Sequence, residues 1–594
     1  MKTRAIFDLE SDGLLYDATT IWCIVIKDLN SHEIFKYIPS SIEEGIDKLS
    51  SYDLISGHNI CGFDIPLIEK LYPYFTYKEV RDTLCMSKLF NPERLDGHSL
   101  ESYGKQFGRY KPVHEDWSQY SEDMLHRCSE DVEINHLLYK FLVDEYCQNW
   151  KWLDSLKLEQ DYSYLQAQQE FEGVDIDKEF AIETIGRLDE EIYSLSESLY
   201  PRIPDKIKPV GAVILPFKKD GTYKEIVNKH LGGVNVRGMC QRIIFERINL
   251  DSSKQIKDYL LSVGWIPTEY NINKETKVRT SPKLTEDSYG SIKDDTGKLV
   301  ARRNILVHRR RTIENFKDPE NKGILSFIRD DGRVPAQGII CGTPTGRTKH
   351  TGAICNIPKA SPKVVYGLEM RKIFCVKEPY IMIGADLDQI EARIGGHYAT
   401  LFDGGDYWNR VSTIEDLHSF NASIFECDRD SAKTIKYAID FGARAPKIAS
   451  YLGCSTQKAQ GLIDAFWDTN CGLKDFLAEG SKYYKKHKFI VGLDGRKLYL
   501  RAEYKMLNLY IQSAAAIIFK RWSLIATARL EETGLFCKQI LAVHDEVAYR
   551  CSKDDADIAV EIIEQAAIDA GKYYNLLTPV TTKCKIGANW AEVH

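Results

Sequence analysis

The sequence predicts an α/β protein of several domains, and three observations carry that prediction. The chain has 594 residues, too many for one hydrophobic core, so about three or four domains are expected. Short apolar runs that end in carboxylates recur at Ala5–Glu10, Tyr380–Asp386 and Ile540–Glu546, and they read as buried strands. Stretches of helical period lie between them, as in Lys151–Leu199.

A hydrophobic content of 43% and a charged content of 28% are ordinary for a folded protein and leave little room for long disordered arms. The net charge of −7 means that any nucleic-acid surface must be a local basic groove on an acidic body. The 15 cysteines include no Cys-x-x-Cys, so neither a zinc site nor a disulfide framework is expected, and a reducing cytosol is. The opening MKTRAIFDLE has no signal-peptide pattern, and no run of about 18 apolar residues is present to cross a membrane.

Taken in order, Ala5–Glu10 is a strand whose acids Asp8 and Glu10 stand two residues apart and so share one face. In GHNICGFDIPLI, Asp64 follows a glycine-punctuated turn and opens a helix with Ile65 and Pro66. HRCSEDVEINHLLYKFL is helical, with Asp131, Ile134, Leu138 and Phe141 at spacings of three and four. Any one of these acids is explained by a solvated carboxylate or a helix cap. Four on three separate elements are harder to explain that way.

Residues 151–199 predict long helices, and Ile203–Gly233, with Pro204, Pro209, Pro216 and many lysines, predicts a basic hairpin or flexible tip. SSKQIKDYLLSV is a capped helix with Ser252 or Ser253 as N-cap and Ile256, Leu260 and Leu261 as its apolar stripe. Arg302, Arg303, His308, Arg309, Arg310 and Arg311 form the densest basic cluster. Arg309 and Arg310 are its candidates for DNA phosphate contact, with a solvated helix face as the alternative.

The loop CGTPTGRTKHTGAICNIP is rich in Gly and Thr and carries Arg347, which could reach into a duplex. Asp386 ends one apolar run, and His544, Asp545 and Glu546 interrupt another. Acids gathered from two strands repel unless divalent cations sit between them, and one or two Mg²⁺ ions in an oxygen site suit phosphoryl transfer. From Arg429 to Phe441 a helix places Arg429, Lys433, Tyr437 and Phe441 every four residues along one stripe. Two cations followed by two rings suit a nucleoside triphosphate, and an ordinary amphipathic face is the alternative. Asp494-Gly495 marks a hairpin. Asn508 and Gln512 lie four apart on the small-residue helix LNLYIQSAAAIIFKRW, where their amides either reach minor-groove acceptors or serve structural hydrogen bonds.

Together, DLDQIEAR, RDSAKTIKYAIDFG and VHDE resemble the three polymerase motifs of family A DNA polymerases, the polymerase I type, and TPTGR with NIP resembles a further primer-contacting motif. GLDGRKLYLR, LNLYIQSAAA and KIGANW make the replicative polymerases of short-tailed bacteriophages the nearest likeness. Asp8, Glu10, Asp64 and Asp131 resemble the four metal ligands of DEDD 3′–5′ exonucleases. The resemblance implies an RNase H-like exonuclease over 1–147 and a right-hand polymerase. Its parts would be a mainly helical thumb with a basic tip over 148–334, an antiparallel-sheet palm over 335–404 and 501–594, and helical fingers over 405–500. It implies template-directed DNA synthesis with proofreading, on a phage genome, through two Mg²⁺ per active site, with Mn²⁺ as a substitute.

Residue by residue, the resemblance gives Asp386 and Asp545 the metal ions, with Glu546 supporting them. It gives His418, Arg429 and Lys433 the triphosphate, with Gln389 beside it, and makes Glu391 the steric gate against ribonucleotides. Tyr437 stands where the family carries phenylalanine or tyrosine; Arg347, Asn508 and Gln512 match minor-groove contacts, and Phe441 can stack on the template base. The chain departs from pattern at Arg127, where polymerase-linked exonucleases carry tyrosine. His126 sits at the spacing of the histidine of the other DEDD branch and is a candidate to orient or deprotonate the attacking water. Asp388 replaces a small residue, and Phe441 a tyrosine. The implied partners are primer-template DNA and dNTPs, with a helicase-primase and a single-strand-binding protein as candidate replisome partners. No membrane is implied, and the expected location is the cytoplasm, that of the host if the protein is viral. The thumb is too short for the large processivity-factor insertion of the best-known phage relative, so thioredoxin is not assumed. A nuclease whose second half only binds DNA, and a non-catalytic DNA scaffold, are the rival readings.

Overall fold

The computed structural model describes residues 2–594 apart from 148–149, 223, 226–237, 268, 274–275, 277, 316–321, 414–416 and 441. Two compact units share the chain. One joins Met1–Ile176, Phe327–Asn356 and Arg371–His594; the other joins Asp177–Ser326 and Ile357–Met370.

The first unit begins with a five-stranded sheet of β1 (Arg4–Ser11), β2 (Ile21–Asp28), β3 (Ile34–Tyr37), β4 (Leu54–Gly57) and β5 (Val80–Asp82), in the order β3-β2-β1-β4-β5. β1, β2 and β3 pair antiparallel, and β1, β4 and β5 pair parallel. The pleat of β1 sorts its side chains. Ala5, Phe7 and Leu9 enter a core shared with α1 (Asp64–Leu71), whereas Ile6 packs against Met124, Cys128 and Val132 of α2 (Glu122–Leu142). Asp8 and Glu10 share the face of Ile6 and therefore come out toward α2. α3 (Leu153–Glu172) follows and is buried along much of its length, polar residues included. The long helices that the sequence predicts over 151–199 are present as Leu153–Glu172 and Lys178–Leu199, but between them a strand at Val174–Ile176 pairs with Arg333–Val334 and Phe374–Cys375. Three residues are too few to interrupt a helical pattern visibly.

The rest of the first unit is built on a four-stranded antiparallel sheet. It contains β6 (Tyr380–Leu387), then α4 (Ile390–Asp403), α5 (Arg429–Asp440), α6 (Met506–Glu532), β7 (Cys537–Val543), β8 (Glu546–Ser552), α7 (Ala556–Tyr573) and β9 (Thr582–Gly587), with strand order β7-β8-β6-β9. α6 and α7 share a large apolar core with this sheet, and the Trp522 indole of α6 donates to the Ile563 carbonyl of α7 at 2.9 Å. Helices between α4 and α6 have a separate core around Phe425, Ile435, Ile448 and Phe466. Gly384 in β6 is a close approach: a Cβ there would lie 2.5 Å from Val593, so the last residues lie directly on the strand.

In the second unit the helices Lys178–Leu199 and Asp295–Ile313 pack together. Within the predicted basic hairpin or tip, Lys206–Ile214 is a strand, but its antiparallel partner Cys240–Glu246 lies beyond the predicted bounds, and 226–237 lies outside the described residues. Of the two predicted N-caps for Ser253–Ser262, Ser252 is the one used: its hydroxyl accepts from the Gln255 N–H. Ile256 and Leu260 are buried there, and Leu261 is exposed.

Candidate active sites

β7 and β8 are joined by the two-residue turn His544-Asp545, with Val543 opposite Glu546. His544 has φ 61°, a left-handed conformation that a non-glycine residue holds only where its surroundings enforce it. The turn lies beside the end of β6, where the Leu387 N–H donates to the Asp545 carbonyl at 3.1 Å and Asp386 pairs in register with Glu546. Thus the two predicted carboxylates meet at one end of the sheet. Asp386 reaches solvent at the strand end, yet the protein packed around it, with Asp545 and Glu546, raises its carboxyl to about 7. Burial also raises Asp545, against the Arg347 guanidinium, which lowers it. Both effects penalise bare negative charge, and a cation between the carboxylates would relieve it.

Glu546 is arranged differently. It is buried, with Arg371 Nη1 3.1 Å from each carboxylate oxygen, Trp590 Nε1 donating at 2.6 Å and His594 Nδ1 at 3.1 Å. Burial pushes this carboxyl up, but His594, Arg371 and Trp590 hold it below its usual range. Its oxygens are thus committed to neighbours beside the turn that carries Asp545, an arrangement in keeping with the supporting role that the resemblance gives Glu546.

α5 buries Ala432, Ile435, Ala438 and Ile439 and leaves Arg429, Lys433 and Tyr437 exposed, so the predicted stripe is the open face of the helix. Lys436 turns inward to a buried pair with Asp440 at 2.5 Å. Gln389 is exposed and, at φ 45°, starts α4; Glu391 follows and receives Arg347 Nη2 at 2.9 Å. Asn508 and Gln512 are half-buried one turn apart on α6. Asp388 accepts from the Thr581 hydroxyl at 2.8 Å. The backbone of His418 belongs to the helix Leu417–Phe425, but its side chain and the whole of Phe441 lie outside the described residues.

The second acidic cluster sits in a cleft of about 690 Å³ lined by Asp8, Glu10, Asp64, Asp131, Lys111 and Arg127 among others. Ligand oxygens of Asp8, Glu10 and Asp131 lie within 4.8 Å of one another. Burial and the acids around it raise Asp8 well above the carboxylate range; burial and Asp131 raise Glu10 to about 7, and burial raises Asp64 to about 8. Asp131 Oδ1 is buried without a hydrogen bond, which suits a metal ligand, while Asp131 Oδ2 pairs with Lys111 Nζ. Arg127 approaches Glu10 at 3.8 Å. His126, the predicted water-orienting residue, is exposed and does not line the cleft. Arg127 stands four residues before Asp131 and shares its helix face; His126, five before, is turned away by about 100° more.

A family model described as DNA polymerase family A matches residues 234–592, more than half of the chain. The chain belongs to DNA polymerase family A. This polymerase is 24% identical to the DNA-directed DNA polymerases of Enterobacteria phage T3 and Escherichia phage T7, with 99% of each chain covered. It is 26% identical to DNA polymerase I of Caldicellulosiruptor bescii, over 62% of this chain and 43% of the relative. A solved structure, the POL domain of Pol1 from M. smegmatis in complex with DNA primer-template and dNTP, superposes with a TM-score of 0.72 at 19% identity, covering 100% of this chain and 96% of that one. The polymerase therefore has the family A fold, with mixed α and β content. Divalent metal ions serve this family, and the carboxylates of both clusters are the hard oxygen donors that such ions take. Among the described residues, no helix is long and apolar enough to cross a membrane.

Two further predicted contacts need correction. Arg309 is only 5% exposed, with Nη2 on Glu286 at 2.5 Å and Nε on the Val365 carbonyl at 3.1 Å, so it is a core ion pair of the polymerase's second unit. Arg310 is half-buried and paired with Glu314 at 2.8 Å and Asp189 at 3.2 Å. Neither offers a free cation to a phosphate, because Glu286 claims one guanidinium and Asp189, with Glu314 at the helix's own C-terminus, claims the other. Sequence reasoning also missed Lys111, Arg371 and His594, which sit in segments without periodic pattern; Trp590 was signalled only through KIGANW.

Proposed function

We propose that this DNA-directed DNA polymerase extends primers at Asp386 and Asp545 and removes nucleotides in the 3′–5′ direction at Asp8, Glu10, Asp64 and Asp131. In this reading residues 1–147 form an RNase H-like exonuclease, 148–334 the thumb, 335–404 and 501–594 the palm, and 405–500 the fingers. The observation that carries it is the presence of two separate carboxylate clusters within one unit, one between β1 and the helices α1 and α2, the other at the end of β6 beside the turn of β7 and β8. The strand order β3-β2-β1-β4-β5 supports the RNase H-like assignment.

Two Mg²⁺ at each site, replaceable by Mn²⁺, would supply charge neutralisation and an activated oxygen nucleophile, held by Asp386 and Asp545 in one case and by the four N-terminal acids in the other. The chain's own groups do the rest. Arg429 and Lys433, exposed on α5, bind the phosphates of the incoming dNTP together with His418, and Gln389 lies beside them. Tyr437 and Glu391 bound the sugar. Arg347 exchanges Glu391 for the minor groove of the primer-template, which Asn508 and Gln512 also contact, and Phe441 stacks on the template base. At the exonuclease, Lys111 and Arg127 neutralise the acids between substrates. The solved neighbour's primer-template and dNTP support these partners. Copying of a phage genome in the host cytoplasm, with replisome proteins such as a helicase-primase and a single-strand-binding protein, completes the reading.

The test is a labelled primer on a template with Mg²⁺, followed at single-nucleotide resolution. Growth with dNTPs and shortening without them is the expected result. Shortening alone would return the polymerase half to a DNA-binding role, and growth alone would refute the exonuclease.

A further inference from the structure

Beneath Arg347 lies a group of four buried charges that the reaction itself does not use. Lys520 on α6 donates to the Glu159 carboxylate at 2.6 and 2.8 Å and to the Gly346 carbonyl at 2.8 Å. Arg496, in the hairpin turn that Asp494-Gly495 marks, approaches the same Glu159 at 2.8 Å and clasps Asp494 at 2.6 Å. None of the four side chains is more than 3% exposed. The group is electrically balanced, two cations against two anions, but a buried ion network rarely stabilises a fold better than apolar residues of the same volume. Its presence calls for a positional reason.

That reason is the one backbone atom it holds. Gly346 has φ 81°, and a Cβ there would come within 2.7 Å of Arg496 Nη1, so the loop is drawn down onto the charges with no room for a side chain. The next residue is Arg347, whose guanidinium reaches Glu391 at 2.9 Å and whose charge acts on Asp545. We propose that Lys520, Glu159, Arg496 and Asp494 are positioning residues that fix the Gly346 carbonyl and thereby set Arg347 at the site of synthesis. This rests on the reading of Arg347 as a primer-template contact. An ion network suits the task because its directional bonds accept one loop geometry, whereas apolar packing would tolerate several.

The experiment is single-turnover dNTP incorporation by the full chain across dNTP concentrations, its plateau rate standing for kcat and its half-saturation point for KM, comparing the wild type, Lys520→Met, Arg347→Ala and the double variant. A misplacement on the order of 1 Å can cost up to about a hundredfold in rate. The expected result is a kcat lowered at least about tenfold by Lys520→Met, with KM for the dNTP within about twofold. Lys520→Arg should recover most of the rate, and the double variant should be no slower than Arg347→Ala, since both act through one guanidinium. Full kcat in Lys520→Met, or losses that multiply in the double variant, would overturn the proposal. No loss in Arg347→Ala would overturn the reading of Arg347 and the proposal with it, whereas loss in Arg347→Ala alone condemns only the tetrad. Where Lys520→Met does not fold, Glu159→Gln keeps the side-chain shape and an acceptor for Lys520 and is judged by the same comparison.

Discussion

Replacing Arg309 with methionine keeps most of the side-chain volume, removes the charge, and is expected to cost stability rather than DNA affinity. Arg309 is 5% exposed, and its guanidinium makes one charge-assisted bond to Glu286 and one to the Val365 carbonyl. A bond to a charged partner contributes about 1.5–3 kcal/mol. The Glu286 side chain is 40% exposed, so water can take up the carboxylate once it is abandoned, which sets the net loss near 2 kcal/mol. The second unit has about 160 residues, for which each kcal/mol moves the melting temperature by about 2–4 °C, so a fall of about 4–8 °C is expected in that unit's transition. DNA affinity is read as the slope of log K against log salt, to which each phosphate contact contributes about 0.9. The slope should not change. A slope smaller by about 0.9 with an unaltered melting transition would refute the placement of Arg309 in the core and restore the phosphate contact.

Asp545→Ala should abolish primer extension and leave 3′–5′ hydrolysis intact, and Asp8→Ala should do the reverse; synthesis surviving Asp545→Ala on the primer gel would remove the site assignment. Lys111→Met withdraws the cation that pairs with Asp131 and should tighten Mn²⁺ binding at the N-terminal cluster at least about tenfold, on the order of 1.4 kcal/mol, as measured by calorimetry in the Asp545→Ala background. Weaker binding would show that Lys111 is not standing in for metal charge. Asp82, fully buried, accepts from the N–H groups of Asn59, Cys61, Leu84 and Cys85 and so holds the loop that leads to Asp64. Asp82→Ala should lower hydrolysis at least about tenfold, by displacing a ligand on the order of 1 Å, while synthesis stays within about twofold; equal losses in both assays would point to general unfolding instead.

Strand ends were legible because a buried strand writes its faces into alternate residues. Ala5, Phe7 and Leu9 had to face one core, which left Asp8 and Glu10 together on the other side. The stripe Arg429, Lys433, Tyr437 was legible for the same reason at helical period, since the opposite residues Ala432, Ile435 and Ile439 are small or apolar. The choice between His126 and Arg127 depended on the rotational phase of α2, and Met124, Cys128 and Val132 carry that phase in the sequence. What could not be read was the fate of cations whose partners are distant. The helix Asp295–Ile313 is basic on several faces, and among the described residues its paired arginines are claimed by Glu286, Asp189, Glu191 and Asp251 on other elements and by Glu314 at its own C-terminus. Arg371 and His594 were hidden likewise, because each meets Glu546 from a segment with no repeating pattern.

α3 brings the two sites into one mechanical frame. Successive residues on a helix point about 100° apart, and Glu159 and Gln160 use that angle to reach opposite halves of the unit. Glu159 meets Lys520 and Arg496 beneath the Arg347 loop. Gln160 accepts from the Asp82 N–H at 3.0 Å and donates to the Val80 carbonyl at 3.2 Å, at the strand end that steadies the Asp64 loop. Both side chains are buried, so neither can shift its contacts to water when the helix moves. On the proposed reading of the two sites, a change that displaces α3 as a body should therefore disturb synthesis and hydrolysis together. Lys520 and Asp82 each touch only one side of it, and the balance between the two activities can be altered there without moving the helix.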